Sequence, residues 1–388
     1  MVRKICIVTA TRADFGPLKC LIEGVETDSE LELQLIVTGT HLSPEFGNTI
    51  NQIIESKIPI SRKIEITLSS DSAVGACKAM GLGLIGFSEA FHELEPDLVV
   101  VLGDRYELVP IVSAANIAQI PVAHISGGEI TEGANDEVFR HSVTKMSQLH
   151  FTAIEEYAKR VIQMGEQPSR VFNVGEPGLD NLIKMDLLTR SAFEKSINCK
   201  LNKRNLLITY HPVTTEKVDT IEDSFEAILN SLDELKDTLL IFTKTNADVG
   251  GRIINKIIDD YVSQSSGNAI AFSSLGQLRY LSALKYVDAV VGNSSSGICE
   301  APSLKTATIN VGDRQKGRIR ALSTIDVDTN KKQILNALEH IYSADFQNKL
   351  CNVVNPYGDG FTTQRIIDII KNVNLRELNT KPFYDIKF

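Results

Sequence analysis

The sequence predicts an α/β chain of two doubly wound domains, and three observations carry that expectation. Strand-length apolar runs alternate with helical patterns along the 388 residues, with one pause near Glu176 to Thr189. One run, Leu98-Val99-Val100-Val101-Leu102, is apolar on both faces, as the centre of a parallel sheet requires. Polar residues gather just after the strands, where open α/β sheets place function. At this length two domains are the default.

Taken in order, Ile5 to Val8 reads as the first strand. Leu18, Leu21, Ile22 and Val25 follow at i, i+3, i+4, i+7, one face of a helix. Leu33 to Val37, Leu98 to Leu102, Pro121 to Ile125, Leu149 to Thr152 and Val171 to Val174 continue the first half. After the pause come Leu206 to Thr209, Leu239 to Thr243, Ala269 to Phe272, Ala289 to Val291 and Thr308 to Val311. A closing helix, about Thr363 to Val373, is expected to pack back on the first half. The expected domains are therefore 1–177, 178–362 and a C-terminal helix and tail, 363–388.

Composition narrows the classes. The chain is 43% hydrophobic and 23% charged with a net charge of −9, so no nucleic-acid partner is expected. The longest apolar runs are strand-sized, so no membrane span is expected. Met1-Val2-Arg3-Lys4-Ile5-Cys6 leads straight into a strand without a secretory apolar segment. Six cysteines are scattered with no CxxC pair, which fits a reducing cytosol and argues against a zinc site. Gly81-Leu82-Gly83-Leu84-Ile85-Gly86 matches G-x-G-x-x-G, but it sits inside one helical stretch with no strand before it. Its glycines are expected to serve close helix packing.

The stretch Val287 to Val291, Gly292, Asn293, Ser294, Ser295, Ser296, with Glu300 beyond, reads as a strand running into a helix N-terminus. Free N–H groups and the helix dipole favour an anion there, and the serines leave room for phosphate oxygens. A serine N-cap on an ordinary turn explains the same pattern. Arg12 and Asp14 follow the first strand; arginine suits a diphosphate, and a surface Arg–Asp pair is the alternative. Asp104, beside Arg105 at the tip of a buried strand, is a candidate acid–base carboxylate or a helix cap. Glu129 lies in a glycine-rich loop, and Asp136 and Glu137 open the helix after it. His141 and Lys145 read as structural or solvated. His211-Pro212 and Lys244-Thr245-Asn246 end strands of the second half, and Gly312 to Arg320 is a basic loop fit to close on a diphosphate or to lie solvated. Two such rims facing each other would make one cleft.

As an ordered set these blocks resemble the hydrolysing UDP-N-acetylglucosamine 2-epimerases of sialic-acid biosynthesis. The resembling segments are Thr11-Arg12-Ala13-Asp14, Gly103-Asp104-Arg105-Tyr106-Glu107, Asp136-Glu137 with Arg140-His141-Ser142, His211-Pro212, Asn293-Ser294-Ser295-Ser296-Gly297 and Gly312-Asp313-Arg314-Gln315-Lys316-Gly317-Arg318. The resemblance implies two Rossmann-like domains of the glycosyltransferase-B type facing across a cleft. It implies diphosphate contacts from Arg12, Ser294, Ser295 and Arg314, His211 and Asn246 near the phosphates and ribose, Glu300 on the ribose and Tyr280 beside the uracil. Asp104 and Asp136 become the leading acid–base pair. Some members carry His-Ile-Glu-Gly-Gly-Glu; here Ser126 replaces the first glutamate, which makes Glu129 the carboxylate of that segment and leaves the sugar open.

The implied reaction removes the C2 proton while the C1–O bond to UDP breaks, then adds water to the glycal and releases N-acetylmannosamine. The same reaction on the UDP-2,4-diacetamido-2,4,6-trideoxyglucose of legionaminic-acid biosynthesis is the alternative, followed by a non-hydrolysing epimerase, a retaining glycosyltransferase and a non-enzymatic sensor. No metal or cofactor is expected. By the same resemblance the protein is expected to be a cytoplasmic homo-oligomer, dimer or tetramer, with a UDP-sugar as its small-molecule partner.

Overall fold

The computed structural model describes residues 2–68, 72–131, 136–212, 218–245, 251–265 and 267–387. The first sheet holds β1 (Arg3–Thr9), β2 (Leu31–Thr38), β3 (Arg62–Ile64), β4 (Leu98–Leu102), β5 (Val122–Ile125), β6 (Leu149–Thr152) and β7 (Val171–Asn173). Its order is β3-β2-β1-β4-β5-β6-β7. The second holds β8 (Arg204–Thr209), β9 (Thr238–Thr243), β10 (Ala269–Phe272), β11 (Ala289–Gly292), β12 (Ala307–Val311) and β13 (Thr324–Val327), in the order β10-β9-β8-β11-β12-β13. Every pairing is parallel. In each sheet the winding reverses between the first strand and the one that follows it across the switch: β1 beside β4, and β8 beside β11. Ligands of such sheets bind beyond the carboxyl ends of the strands at that reversal.

Contacts divide the chain into two units. One is Met1–Glu129, Asn135–Asn181 and Tyr357–Phe388; the other is mainly Leu182–Pro356. The division falls a few residues from the expected 177/178 and 362/363 boundaries, because both ends of the crossing are fastened within the first unit. The Asp180 carboxylate accepts the backbone N–H of Thr362 (2.9 Å) and Thr363 (2.6 Å). The Glu176 N–H donates to the Tyr357 carbonyl at 2.8 Å. The closing helix Thr362–Asn372 buries Ile366, Ile367 and Ile370 in one cluster with Leu18, Ile22 and Val25 of the Arg12–Thr27 helix. Gly24 lets the two approach: a Cβ there would lie 2.7 Å from Ile367 Cδ1.

Two edge strands, β3 and β13, went unread in the sequence. Arg62 and Lys63 of β3 are exposed and β13 is only half-buried, so neither shows an apolar run. Charged, short edges also discourage pairing with another chain. The G-x-G-x-x-G match lies within the Ala73–Leu94 helix. A Cβ on Gly83 would lie 3.1 Å from Pro110, and one on Gly86 would lie 2.5 Å from Ile64. Two of its three glycines therefore serve close packing. This helix is also long and apolar enough to cross a membrane by length and composition, against the expectation of strand-sized runs only. Its Phe87, Ala90 and Phe91 are buried in the core of the first unit.

Candidate active site

At the first reversal, Asp14 departs from its expected role. Thr11 caps the Arg12–Thr27 helix, and Asp14 at the third helical position completes a capping box. Its carboxylate accepts from the Thr9 hydroxyl (2.6 Å), Ala10 N (2.9 Å) and Thr11 N (3.0 Å). Burial pushes its pKa up to about 6 against those donors. A buried side chain committed to its own helix start is not half of a surface Arg–Asp pair. Arg12, by contrast, is exposed at that helix start.

Beyond β4 the chain turns at Gly103 (φ +95°) and presents Asp104. It is not a helix cap: the next helix starts at Leu108, after Glu107. Asp104 is 28% exposed and paired with Arg140, whose side chain is 1% exposed. Arg140 also donates to Glu137 (2.9 Å) and to the Glu129 carbonyl (3.0 Å). The Asp136–Met146 helix thus sends Arg140 inward to fix Asp104, and leaves Asp136 at its first position. Asp136 is open to solvent, yet the protein mass around it and then the Asp104 charge push its carboxyl above the ordinary range. Arg105 is half-engaged: Nη2 and Nε reach buried Glu107 at 2.9 and 3.2 Å, which takes up part of its donor fork. Glu129 is buried. His141 bonds Glu137 at 2.9 Å and Lys145 bonds Glu166 at 2.5 Å, so this pair is structural. Glu107, Glu137 and Arg140 stand in the segments that carry the resemblance, but the sequence assigned none of them a role. The Glu137–Arg140 i, i+3 spacing was a signal for one of the pairs.

At the second reversal, β11 ends at Gly292, φ +135°, where a Cβ would collide with the Thr209 carbonyl. Only glycine fits, and the turn delivers Asn293, whose side chain accepts from His211 N (2.7 Å) and donates to His211 O (2.8 Å). Ser294 caps the Ser295–Cys299 helix by accepting from Ser296 N at 3.3 Å. That helix is five residues long, and Glu300 is its C-terminal cap. A helix this short has a small dipole, so anion affinity must come from hydroxyls, N–H groups and arginine. The Ser296 and Tyr280 hydroxyls are buried without a hydrogen bond of good geometry. Burial, then Ser296 and Glu300, govern the Tyr280 phenol, whose pKa is raised; its hydroxyl therefore lies by the serine turn. Burial also pushes the Glu300 carboxyl up, against Ser296, which holds it down. Arg314 is half-buried, not on a solvated loop: it donates to Asn293 O at 3.0 Å, as Gln315 does at 2.9 Å. Asn246 lies outside the described residues. Among the described residues no three His, Cys, Asp or Glu side chains converge as a metal site.

Replacing Ser294 and Ser295 together by alanine is expected to weaken UDP binding, since each hydrogen bond to a charged group is worth roughly 1.5–3 kcal/mol. Isothermal calorimetry measures it; an unchanged affinity removes this turn from the site. Burial, then the Arg314 charge, lowers the His211 pKa to about 4. Folding therefore favours its neutral form: the stabilisation is present above the unfolded value near 6.5 and is lost as pH falls through 4. In ligand-free protein its imidazole NMR signals are expected to stay fixed from about pH 6 upward and to titrate near 4. A midpoint at its ordinary value would show a solvated ring able to carry a proton.

Two parallel sheets, each with polar chemistry at its reversal, define an α/β protein with two Rossmann-like units of the glycosyltransferase-B type. The profile of the UDP-N-acetylglucosamine 2-epimerase family matches residues 23–371, and the chain belongs to that family. A GDP/UDP-N,N'-diacetylbacillosamine 2-epimerase (hydrolyzing) of Campylobacter jejuni is 45% identical over 99% of both chains. Polysialic acid biosynthesis protein P7 of Escherichia coli is 36% identical over 99% of this chain and 98% of its own. A UDP-N,N'-diacetylbacillosamine 2-epimerase (hydrolyzing) of Legionella pneumophila is 36% identical over 97% of each. The crystal structure of a UDP-N-acetylglucosamine 2-epimerase homologue from Listeria monocytogenes shares the fold, with a TM-score of 0.81, 20% identity and coverage of 100% and 99% of the two chains.

Proposed function

We propose that the protein is a hydrolysing 2-epimerase of a UDP-linked 2-acetamido sugar. The observation that carries this reading is a carboxylate pair in unlike surroundings. Asp104 is ion-paired to buried Arg140, while Asp136 opens its helix with its pKa raised. Carboxylates whose environments differ can divide acid and base roles. One of them takes the C2 proton as the electron pair of the C2–H bond forms the C1–C2 double bond and the C1–O bond breaks, with its electrons leaving on UDP. Arg12, the Ser294–Ser296 turn and Arg314 hold the diphosphate and stabilise that charge. His211 assists by donating an N–H to the departing phosphate. Glu300 accepts from the ribose hydroxyls. Water then adds at C1 of the glycal and a proton returns to C2 on the opposite face, giving the free 2-epimeric sugar and UDP.

The resemblance put N-acetylglucosamine first. The 45% identical Campylobacter relative and the Legionella relative, both named for N,N'-diacetylbacillosamine, support 2,4-diacetamido-2,4,6-trideoxyglucose as the preferred sugar. A panel of UDP-N-acetylglucosamine and the UDP- and GDP-linked 2,4-diacetamido sugars, followed by proton NMR in D₂O, tests both statements. The expected outcome is nucleoside diphosphate plus free 2-epimeric sugar carrying deuterium at C2. Preference for the diacetamido sugar is expected to be ~10-fold or more in kcat/KM, the scale of discrimination from small apolar groups. An epimerised nucleotide that keeps its sugar indicates the non-hydrolysing reaction. Free sugar that keeps hydrogen at C2 indicates a transferase hydrolysing its donor.

A further inference from the structure

The helix that carries Asp136 is held at its far end by the end of the chain. The last carbonyls of a helix find no partner inside it. At the C-terminus of Asp136–Met146 the Lys145 carbonyl, and that of Ser147 just beyond, accept from the Lys381 ammonium, at 2.6 Å for Lys145. Lys381 also meets Glu166 Oε2 at 2.9 Å. A lysine has three donors, and all three are used. Its charge also suits the negative end of the helix dipole.

The segment around Lys381 is fixed by contacts of its own. Phe383 lies with its ring centre 5.1 Å from Lys145 Nζ. It packs on Gly165, where a Cβ would collide with the ring. Tyr384 N donates to Gly165 O at 2.9 Å. Arg170 donates to the carbonyls of Glu377 (2.8 Å) and Thr380 (2.9 Å). Buried Glu166 gathers Lys145 (2.5 Å) and buried His150 (2.9 Å) on the same carboxylate. Terminal residues are ordinarily poorly ordered unless tied down. Here the ties converge on one helix end.

We propose that Thr380–Tyr384 is a strap, and Lys381 within it a positioning residue, that sets the axial position of the Asp136–Met146 helix and thereby of Asp136 and Arg140. At 1.5 Å rise per residue the helix carries a shift at its last turn to its first, about 15 Å away. Glu166 keeps Lys145 and His150 when Lys381 is lost, so the fold is retained while two helix-end carbonyls open. The proposal rests on reading Asp136 as an acid–base group.

The test compares wild type, Lys381→Met, Lys381→Arg and a chain ending at Asn379, all full enzymes otherwise. Misplacement by about an ångström costs up to ~10²-fold, so kcat of Lys381→Met and of the shortened chain is expected to fall ~10–100-fold. KM for the UDP-sugar stays near wild type, because neither Arg12 nor the diphosphate contacts of the other unit lie on the Asp136–Met146 helix. Lys381→Arg restores most of the turnover. Hydrogen exchange by mass spectrometry supplies a readout independent of turnover: amides 137–142 exchange faster in Lys381→Met. Faster exchange confined to residues 144–148 and 165–170, or a rise in KM with kcat unchanged, overturns the strap. If the wild-type enzyme shows no epimerase turnover, the functional reading fails, and exchange at 137–142 still decides whether the strap holds the helix.

Discussion

Asp136→Asn is expected to lower turnover by ~10²–10⁴, the usual worth of a positioned proton carrier. The amide can neither take the C2 proton nor return one. The side chain is solvent-open at a helix start, so stability should move only by the helix-dipole contribution, ~0.3–1 kcal/mol. Burial and Asp104 raise its pKa, so the acid limb of the kcat/KM profile should lie above the ordinary carboxylate range and vanish in the variant. Asp104→Asn is expected to lose activity as well, but with a measurable loss of stability, because Arg140 keeps a buried charge with one partner fewer. If Asp136 serves mainly the second half-reaction, its variant should release some 2-acetamido glycal. Full activity in both asparagine variants, by NMR of the product, would sink the assignment.

Arg140→Met is expected to cost stability on the scale of a broken buried ion pair, ~3–5 kcal/mol, reduced here to ~2–4 because both carboxylate partners are about a quarter exposed. Denaturant unfolding measures it. The methionine fills the volume but leaves Asp104 and Glu137 facing each other without the cation, and removes the Arg140 N–H that the Glu129 carbonyl accepts. Turnover should fall with it, since Asp104 loses the group that orients it. Arg140→Lys should recover little, because a lysine cannot span three acceptors in the guanidinium geometry. A stability within ~0.5 kcal/mol of wild type, the range of unremarkable surface substitutions, would mean that the three-way pairing does not hold in solution.

The central strands and the closing helix were legible because their residues are buried on a regular period. Leu18, Leu21, Ile22 and Val25 are all inaccessible, as the i, i+3, i+4, i+7 pattern requires. β3 and β13 were not legible, since an edge strand needs no apolar run. Within the site, position after a strand was readable and direction was not. Asp14 and Asp104 both follow central strands, yet one turns inward to cap its own helix and the other meets Arg140, 36 residues on. The Thr11-x-x-Asp14 spacing of a capping box was present and pointed to the first outcome. No spacing announces the Asp104–Arg140 pair, which exists only once β4 and the Asp136 helix are brought together. Nor was the anchoring of Arg314 legible: its partner is a backbone carbonyl, which side-chain chemistry does not reveal.

The discontinuity of the first unit bears on the order of assembly during synthesis. Domains form as units as the chain emerges. The elements of the second unit, Leu182–Pro356, are nearly contiguous and are all translated before Tyr357. The first unit, although its strands are translated earlier, lacks Tyr357–Phe388 until the second unit has been made. Until then the apolar face of the Arg12–Thr27 helix lacks Ile366, Ile367 and Ile370, and Asp180 lacks the two N–H groups it will accept from. The half of the molecule made first is therefore the half that closes last, and a nascent chain stalled short of Thr362 carries that uncovered face to whatever chaperone or sister chain it meets.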